Sequence, residues 1–277
     1  MIRGLYTATT AMLAQSRRMD VITNNLTNVE TAGFKADTMT TRSFQDMLIS
    51  RIYDPSVYRY SHVGPLNLGV HVDQVFTEFT TGSLEETRNT TDLALHGDGF
   101  FVVEWVSKYL AGDEDLEDDI EPEERYTRAG NFAIDSEGYL VTPNGWYVLG
   151  EDGRILVGTT DFTVERDGTV RVGEEVIDRL RVVRFEDPTV LRKQGDMLYS
   201  IFGRYDEWGE FEPAEEPIEL DEEQIDVRQG FLETSNVDIA KEMVRMMETH
   251  RAYEVNQRII NMFDETLRIS VNDIAKF

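Results

Sequence analysis

Four histidines, His62, His71, His96 and His250, are the side chains of this sequence best suited to acid–base or metal chemistry near neutral pH. Their spacing supports neither. No HExxH or other ligand pattern sets two of them one helical turn apart, and His250 lies in a stretch of helical periodicity where packing or hydrogen bonding accounts for it. The sequence has no cysteine, which excludes disulfides, thiolate metal sites and cysteine nucleophiles. HGDGF at 96–100 has two glycines but neither GxGxxG nor a Walker pattern, and reads as a turn before a strand. Carboxylates are abundant, and two could pair across a substrate as in a glycosidase, yet nothing in their spacing selects a pair. The densest acidic stretches, 113–124 (DEDLEDDIEPEE) and 206–226 (DEWGEFEPAEEPIELDEEQID), lack the spaced oxygens and central glycine of an EF-hand loop and read as solvated outer insertions. No enzyme, no cofactor, no metal and no catalytic residue is expected.

The distribution of charge points elsewhere. The formal net charge is −26 over 277 residues, which keeps a chain soluble and argues against a nucleic-acid partner. Residues 1–52 carry six Lys or Arg against four Asp or Glu, residues 236–277 six against seven, and residues 53–235 fifteen against forty-two. Near-neutral ends pack on copies of themselves more easily than ends that repel. The first residues lack the apolar run and cleavage site of a secretory signal, and no run approaches the ~18 apolar residues of a membrane span. The expectation is a protein that stays in the cytoplasm or leaves by a route needing no cleaved signal, without membrane insertion.

Both ends are patterned for helices. Leu5, Met12, Met19 and Leu26 recur every seventh residue, joined by Ala8, Ile22 and Val29 at offsets of three. That is the seam of helices packing lengthwise on other helices. At the other end Ile239, Met246, Tyr253, Ile260, Leu267 and Ile274 repeat at seven, with Met243, Phe263 and Val271 at companion positions and Ser235 or Asn236 as the N-cap. The run predicts a helix on the order of 40 residues, roughly 60 Å long. A compact domain cannot cover it, so the partner expected is the other terminal helix.

The N-terminal helix is expected to stop in NNLTNVETAGFK (24–35). Asn24, Asn25, Asn28 and Thr31 offer side chains that compete for backbone hydrogen bonds. Leu26 belongs to the same motif, Gly33 can take a left-handed cap, and Phe34, just beyond Gly33, is placed to fold back as an apolar anchor. Between the ends the pattern changes to short apolar runs separated by DSEG, PNG, EDG and RDGT, strong hairpin signals because Asn, Asp and Gly tolerate positive φ. The fold class expected is α+β: long N- and C-terminal helices pairing as a coiled-coil-like helical domain (1–36 and 232–277), an extended connecting region (37–92 and 222–231), and a central β-rich hairpin domain (93–221).

Four blocks in order carry a resemblance. NNLTNVETAGFK resembles the ANNLANxxTxGFK segment of axial flagellar proteins, the rod and hook family. ALHGDGFFVV (94–103), YTRAGNFAIDSEGYLVT (126–142) and QGFLETSNVDIAKEMVRMMETHRAYEVNQ (229–257) extend the similarity over most of the chain. The resemblance implies a structural subunit of the bacterial flagellar basal body whose terminal helices line an axial tube and whose β-rich middle faces outward. It implies self-association, contact with other rod and hook axial proteins, and export unfolded through the flagellar export apparatus. Length and the ETSNV block resemble distal-rod members more than hook members, with proximal-rod members as the alternative. The subunit contacts implied are Leu5, Met12, Met19, Ile22, Leu26, Ile239, Met243, Met246, Tyr253, Ile260, Phe263, Leu267 and Ile274. A second reading is a secreted acidic cation-binding or adhesin-like surface protein, in which the acidic stretches would be the working part.

Overall fold

The computed structural model describes residues 2–51, 61–105, 123–202, 204–205, 211–212, 217–220 and 224–274. The stretch 113–122 and much of 206–223 lie outside these residues. The fold is α+β, with a long C-terminal helix and many strands. The chain divides into two compact units: residues 1–27, 37–76 and 238–277 form the first, and residues 28–36 with 77–237 the second.

The first unit holds both helices. Helix α1 spans Ile2–Thr27. Its threonines are weak helix formers, and four of them turn their hydroxyls back onto the preceding turn, Thr9 Oγ1 donating to the Leu5 carbonyl at 2.8 Å and Thr7 to that of Gly4 at 3.0 Å. Helix α2 spans Ile239–Ile269 and passes into a π turn over Ser270–Ile274. Its N-cap is Asp238, one turn edge later than Ser235 or Asn236, because the Asp238 carboxylate accepts from the amides of Ala240 and Lys241 at 2.9 and 3.2 Å. The strand Asp37–Ser43 pairs with Val70–Thr77, and Met47–Arg51 pairs antiparallel with Ser61–Leu66.

The second unit is built on a nine-stranded sheet. Its central strand, Phe100–Trp105, pairs antiparallel with Glu123–Thr127 on one edge and with Tyr147–Val148 and Val182–Arg184 on the other. The run FFVV is continuously apolar rather than alternating because both faces of this strand are covered. Phe101 and Val103 enter a core with Leu140, Val148, Ile155 and Phe162, while Phe100 and Val102 meet Tyr126, Val183, Phe185 and Tyr199. The RDGT turn closes the hairpin of Thr163–Val164 and Thr169–Val172. Gly168 takes φ +85° there, and the Asp167 carboxylate accepts from the Thr169 amide at 3.1 Å.

Candidate functional site

Among the described residues no three His, Asp or Glu side chains gather as a metal set. His250 sits 3.4 Å from Glu254 one turn along α2, and the His71 ring lies against Phe44. The side chain of His62 lies outside the described residues. The concentrations of unusual chemistry are the helices of the first unit and the segments at which the second unit takes up and releases the chain.

On α1, Ala8, Ala14, Ile22 and Asn25 are buried, Leu5, Met12, Met19 and Leu26 are half-buried, and Tyr6 and Leu13 point to solvent. On α2, Met246, Tyr253, Ile260 and Leu267 are half-buried at the expected spacing of seven. Their companion column is Glu242, Thr249, Asn256, Phe263 and Ser270, the first two buried and the others half-buried. Its largely polar side chains hid it from a search for apolar repeats. Ile239 and Met243 are not brought into this seam, being 46 % and 53 % exposed. Asp238 caps the helix, so Ile239 occupies the first turn on the outward side. Ile274 has its side chain outside the described residues. The Phe263 ring faces the backbone of Gly4, where a Cβ would lie 2.5 Å from the ring edge, so a larger residue there would push the ring aside.

A second apolar set runs along α2. Val244, Met247, Val255, Met262 and Ile269 are all exposed, and at 3.6 residues per turn they lie roughly opposite the half-buried seam. Between α1, the strand from Asp37 and the start of α2 lies a groove of about 430 Å³ lined by Gln15, Arg18, Val21, Ile22, Asp37, Thr38, Met39, Glu242, Arg245, Glu248, Thr249 and Ala252. Glu242 is buried in it, with Oε1 accepting from Arg245 Nη1 at 2.6 Å and Oε2 without a hydrogen-bond partner among the described residues.

The helix-end motif divides between the units. In the first, buried Asn25 clasps the backbone of Asp37 from both sides, Nδ2 donating to its carbonyl and Oδ1 accepting from its amide, each at 2.9 Å. Asn24 is exposed, and its carbonyl accepts from the Thr27 hydroxyl. In the second, the Asn28 carbonyl accepts from the Thr31 amide at 3.2 Å and the two side chains meet at 3.3 Å, turning the chain. Gly33 has φ +69°, and a Cβ there would stand 2.4 Å from the Arg128 carbonyl oxygen, so both conformation and space demand glycine. Phe34 is buried in the β unit, with Lys193 Nζ 4.0 Å from its ring centre.

Lys35, next in line, forms the most buried charge cluster described. Its ammonium donates to Glu233 Oε1 at 2.6 Å and to the Thr80 carbonyl at 2.8 Å. Arg128 approaches the other oxygen, Nη1 to Oε2 at 3.4 Å, and donates to the Gly97 carbonyl at 2.7 Å. All three side chains are at most 2 % exposed. Burial pulls Lys35 and Arg128 below their ordinary pKa values, and the Glu233 carboxylate opposes both shifts. One residue beyond Lys35, the Ala36 amide donates to Asn236 Oδ1 at 2.7 Å, while Asn236 Nδ2 donates to the Glu78 carbonyl at 2.7 Å. Sequence reasoning assigned no role to Lys35, Arg128 or Glu233, and offered Asn236 only as a helix N-cap, although each lies in one of the four quoted blocks.

The comparisons with known proteins follow the same blocks. Residues 5–35 match the family model described as flagella basal body rod protein, residues 94–172 that of the flagellar hook protein FlgE/F/G D1 domain, and residues 228–274 that of the flagellar basal body rod FlgEFG protein C-terminal. The chain is 32 % identical over 281 residues to the flagellar hook-basal body complex protein FlhO of Bacillus subtilis, covering 100 % of both chains. It is 31 % identical over 283 residues to the flagellar basal-body rod protein FlgG of Buchnera aphidicola, covering 97 % of this chain and 98 % of that one. To the flagellar basal-body rod protein FlgF of Caulobacter vibrioides it is 30 % identical over 281 residues, covering 100 % and 98 %.

Proposed function

This chain belongs to the flagellar basal-body rod protein family, as a structural subunit of the basal body, and from that premise we propose that its terminal helices are the part that polymerises. In this reading α1 and α2 pair lengthwise as a coiled-coil-like assembly domain, residues 1–27 and 238–277 with the strands of 37–76, and the β-rich unit, residues 28–36 and 77–237, faces outward from the shaft. The partners are other copies of the chain and neighbouring rod and hook proteins, and the flagellar export apparatus delivers the chain. The acidic cation-binding reading has no support from the relatives.

The observation that carries the proposal is the second apolar column of α2. Met246, Tyr253, Ile260, Phe263 and Leu267 already have a half-buried side to share with α1, yet Val244, Met247, Val255, Met262 and Ile269 stand exposed on another. An aligned apolar column left to solvent marks a contact surface. Torsional stiffness then comes from many such helix contacts, each weak alone.

Met262, 62 % exposed, provides the test. Met262→Asp should leave the unfolding of the purified chain within about 0.5 kcal/mol of the parent, as at other exposed positions. Cells relying on it should make no complete rod and should not swim, because every subunit interface would bury a carboxylate. Normal swimming at matched expression would refute the assignment of this face.

A further inference from the structure

The groove beside the start of α2 holds an acid that its own chain leaves half satisfied. The Glu242 side chain is 6 % exposed, and only Oε1 is engaged, by Arg245. Oε2 has no hydrogen-bond partner among the described residues, an unfavourable state for a buried carboxylate oxygen. Arg18 lines the same groove but forms no hydrogen bond or ion pair with it among the described residues. Two guanidiniums, Arg18 and Arg245, face three carboxylates there, Asp37, Glu242 and Glu248. One more cation would neutralise the groove and complete Glu242.

The chain displays such a cation elsewhere. Arg251 is exposed on α2, four residues after exposed Met247 and four before exposed Val255. No ion pair or side-chain hydrogen bond engages it among the described residues, although acids outnumber bases 53 to 27 in the sequence. Groove and ridge are different surfaces of one chain, so a contact between them is heterologous, the kind that builds an open filament when its rotation does not close a ring.

We infer that Arg251 of a second copy of this chain enters the groove and donates to Glu242 Oε2, with Met247 and Val255 of that copy packing over Ile22 and Met39. The inference rests on the assembly reading above and adds to it a specific charge-completed socket. The seated guanidinium is desolvated between apolar neighbours, so the pair sets register between copies as well as attraction.

The test is a double-mutant cycle in cells lacking the native gene, counting complete basal bodies by electron microscopy at matched expression. Glu242→Gln and Arg251→Gln should each lower the count by about threefold or more, and the pair together no further than the worse single change. Purified Glu242→Gln should keep the parental helical circular dichroism, and Arg251→Gln, at an exposed site, tests the contact independently of folding. A near-parental count for either single variant overturns the inference, as do losses that multiply in the double variant. So does an Arg18→Gln defect that merges with that of Glu242→Gln, which would make Arg18 the true partner. If cells lacking the gene altogether build rods normally, it is the structural-subunit reading that fails, a result visible before any variant is expressed.

Discussion

At the scale of single residues, the second unit depends on one anion held between two buried cations. Glu233→Gln keeps the shape of that side chain and removes its charge, leaving Lys35 and Arg128 facing each other without the carboxylate that both contact. Losing one partner of a buried ion cluster costs about 3–5 kcal/mol, a large part of the total stability of a domain. Denaturant unfolding followed through the tryptophan signal should show a loss of that size near pH 7. The defect should shrink as pH rises. Burial already holds the folded pKa of Lys35 below its unfolded value and Glu233 opposes that shift, so without Glu233 it falls further; the variant's native state then binds fewer protons than the parent's, and its stability grows more as pH climbs towards the model-peptide value of 10.5. A constant defect across this range would mean that Lys35 is not the group left stranded. Nothing in the sequence could pair these residues, since Lys35 and Glu233 stand 198 positions apart and Arg128 and Glu233 stand 105 apart. The resemblance singled out the blocks that contain them, and only three-dimensional proximity shows why those blocks go together. Gly33 was legible for a local reason, a left-handed cap, and proves to need glycine for a distant one as well, the Arg128 carbonyl pressed against its Cα.

At the scale of elements, the repeat of seven found Met246, Tyr253, Ile260 and Leu267 because apolar side chains announce themselves. It passed over Glu242, Thr249 and Asn256, which share the same side of α2 but carry polar groups. The helix end was legible to within a few residues, since Asn, Thr and Gly compete with helical hydrogen bonding by known means. The start of α2 was displaced from Ser235 or Asn236 to Asp238 because Asn236 spends its side chain on the Ala36 amide and the Glu78 carbonyl instead of on a helix. Ile260, half-buried in the seam, tests what the helix needs. Ile260→Asp places a carboxylate on that apolar side and should lower the ellipticity at 222 nm, because an amphipathic helix takes most of its stability from the face it buries. Near-ultraviolet dichroism, dominated by the aromatic cores around Phe101 and Phe100, should stay at its parental value. Loss of that signal would show that the β unit depends on the helix.

At the scale of the whole molecule, the acidic middle and near-neutral ends seen in the sequence correspond to a β unit and a helical unit, each assembled from separated stretches of chain. Both principal cores of the β unit draw only on residues between Phe79 and Val227, and its charge cluster adds only Lys35 and Glu233 from just outside that span. The chain shortened to residues 28–237 should therefore fold alone, with a thermal midpoint within about 3 °C of the corresponding transition in the full chain, a shift equivalent to about 1 kcal/mol. Failure to unfold cooperatively would show that the helices complete this unit. The sequence did not reveal that residues 28–36 belong with the β unit, because nothing local distinguishes a helix cap from a segment bound by Glu233. The lacing around Asn236 has a mechanical consequence. Three threads of the chain, at Ala36, Glu78 and Asn236, are bonded side by side just where each enters or leaves the β unit: Asn236 holds the other two, and the Glu78 amide donates to the Ala36 carbonyl at 2.8 Å. A tug on any one thread is shared at once by its neighbours, and the bonds must give way together rather than in succession. The attachment resists like a splice in a rope, where a single thread would have peeled away one bond at a time.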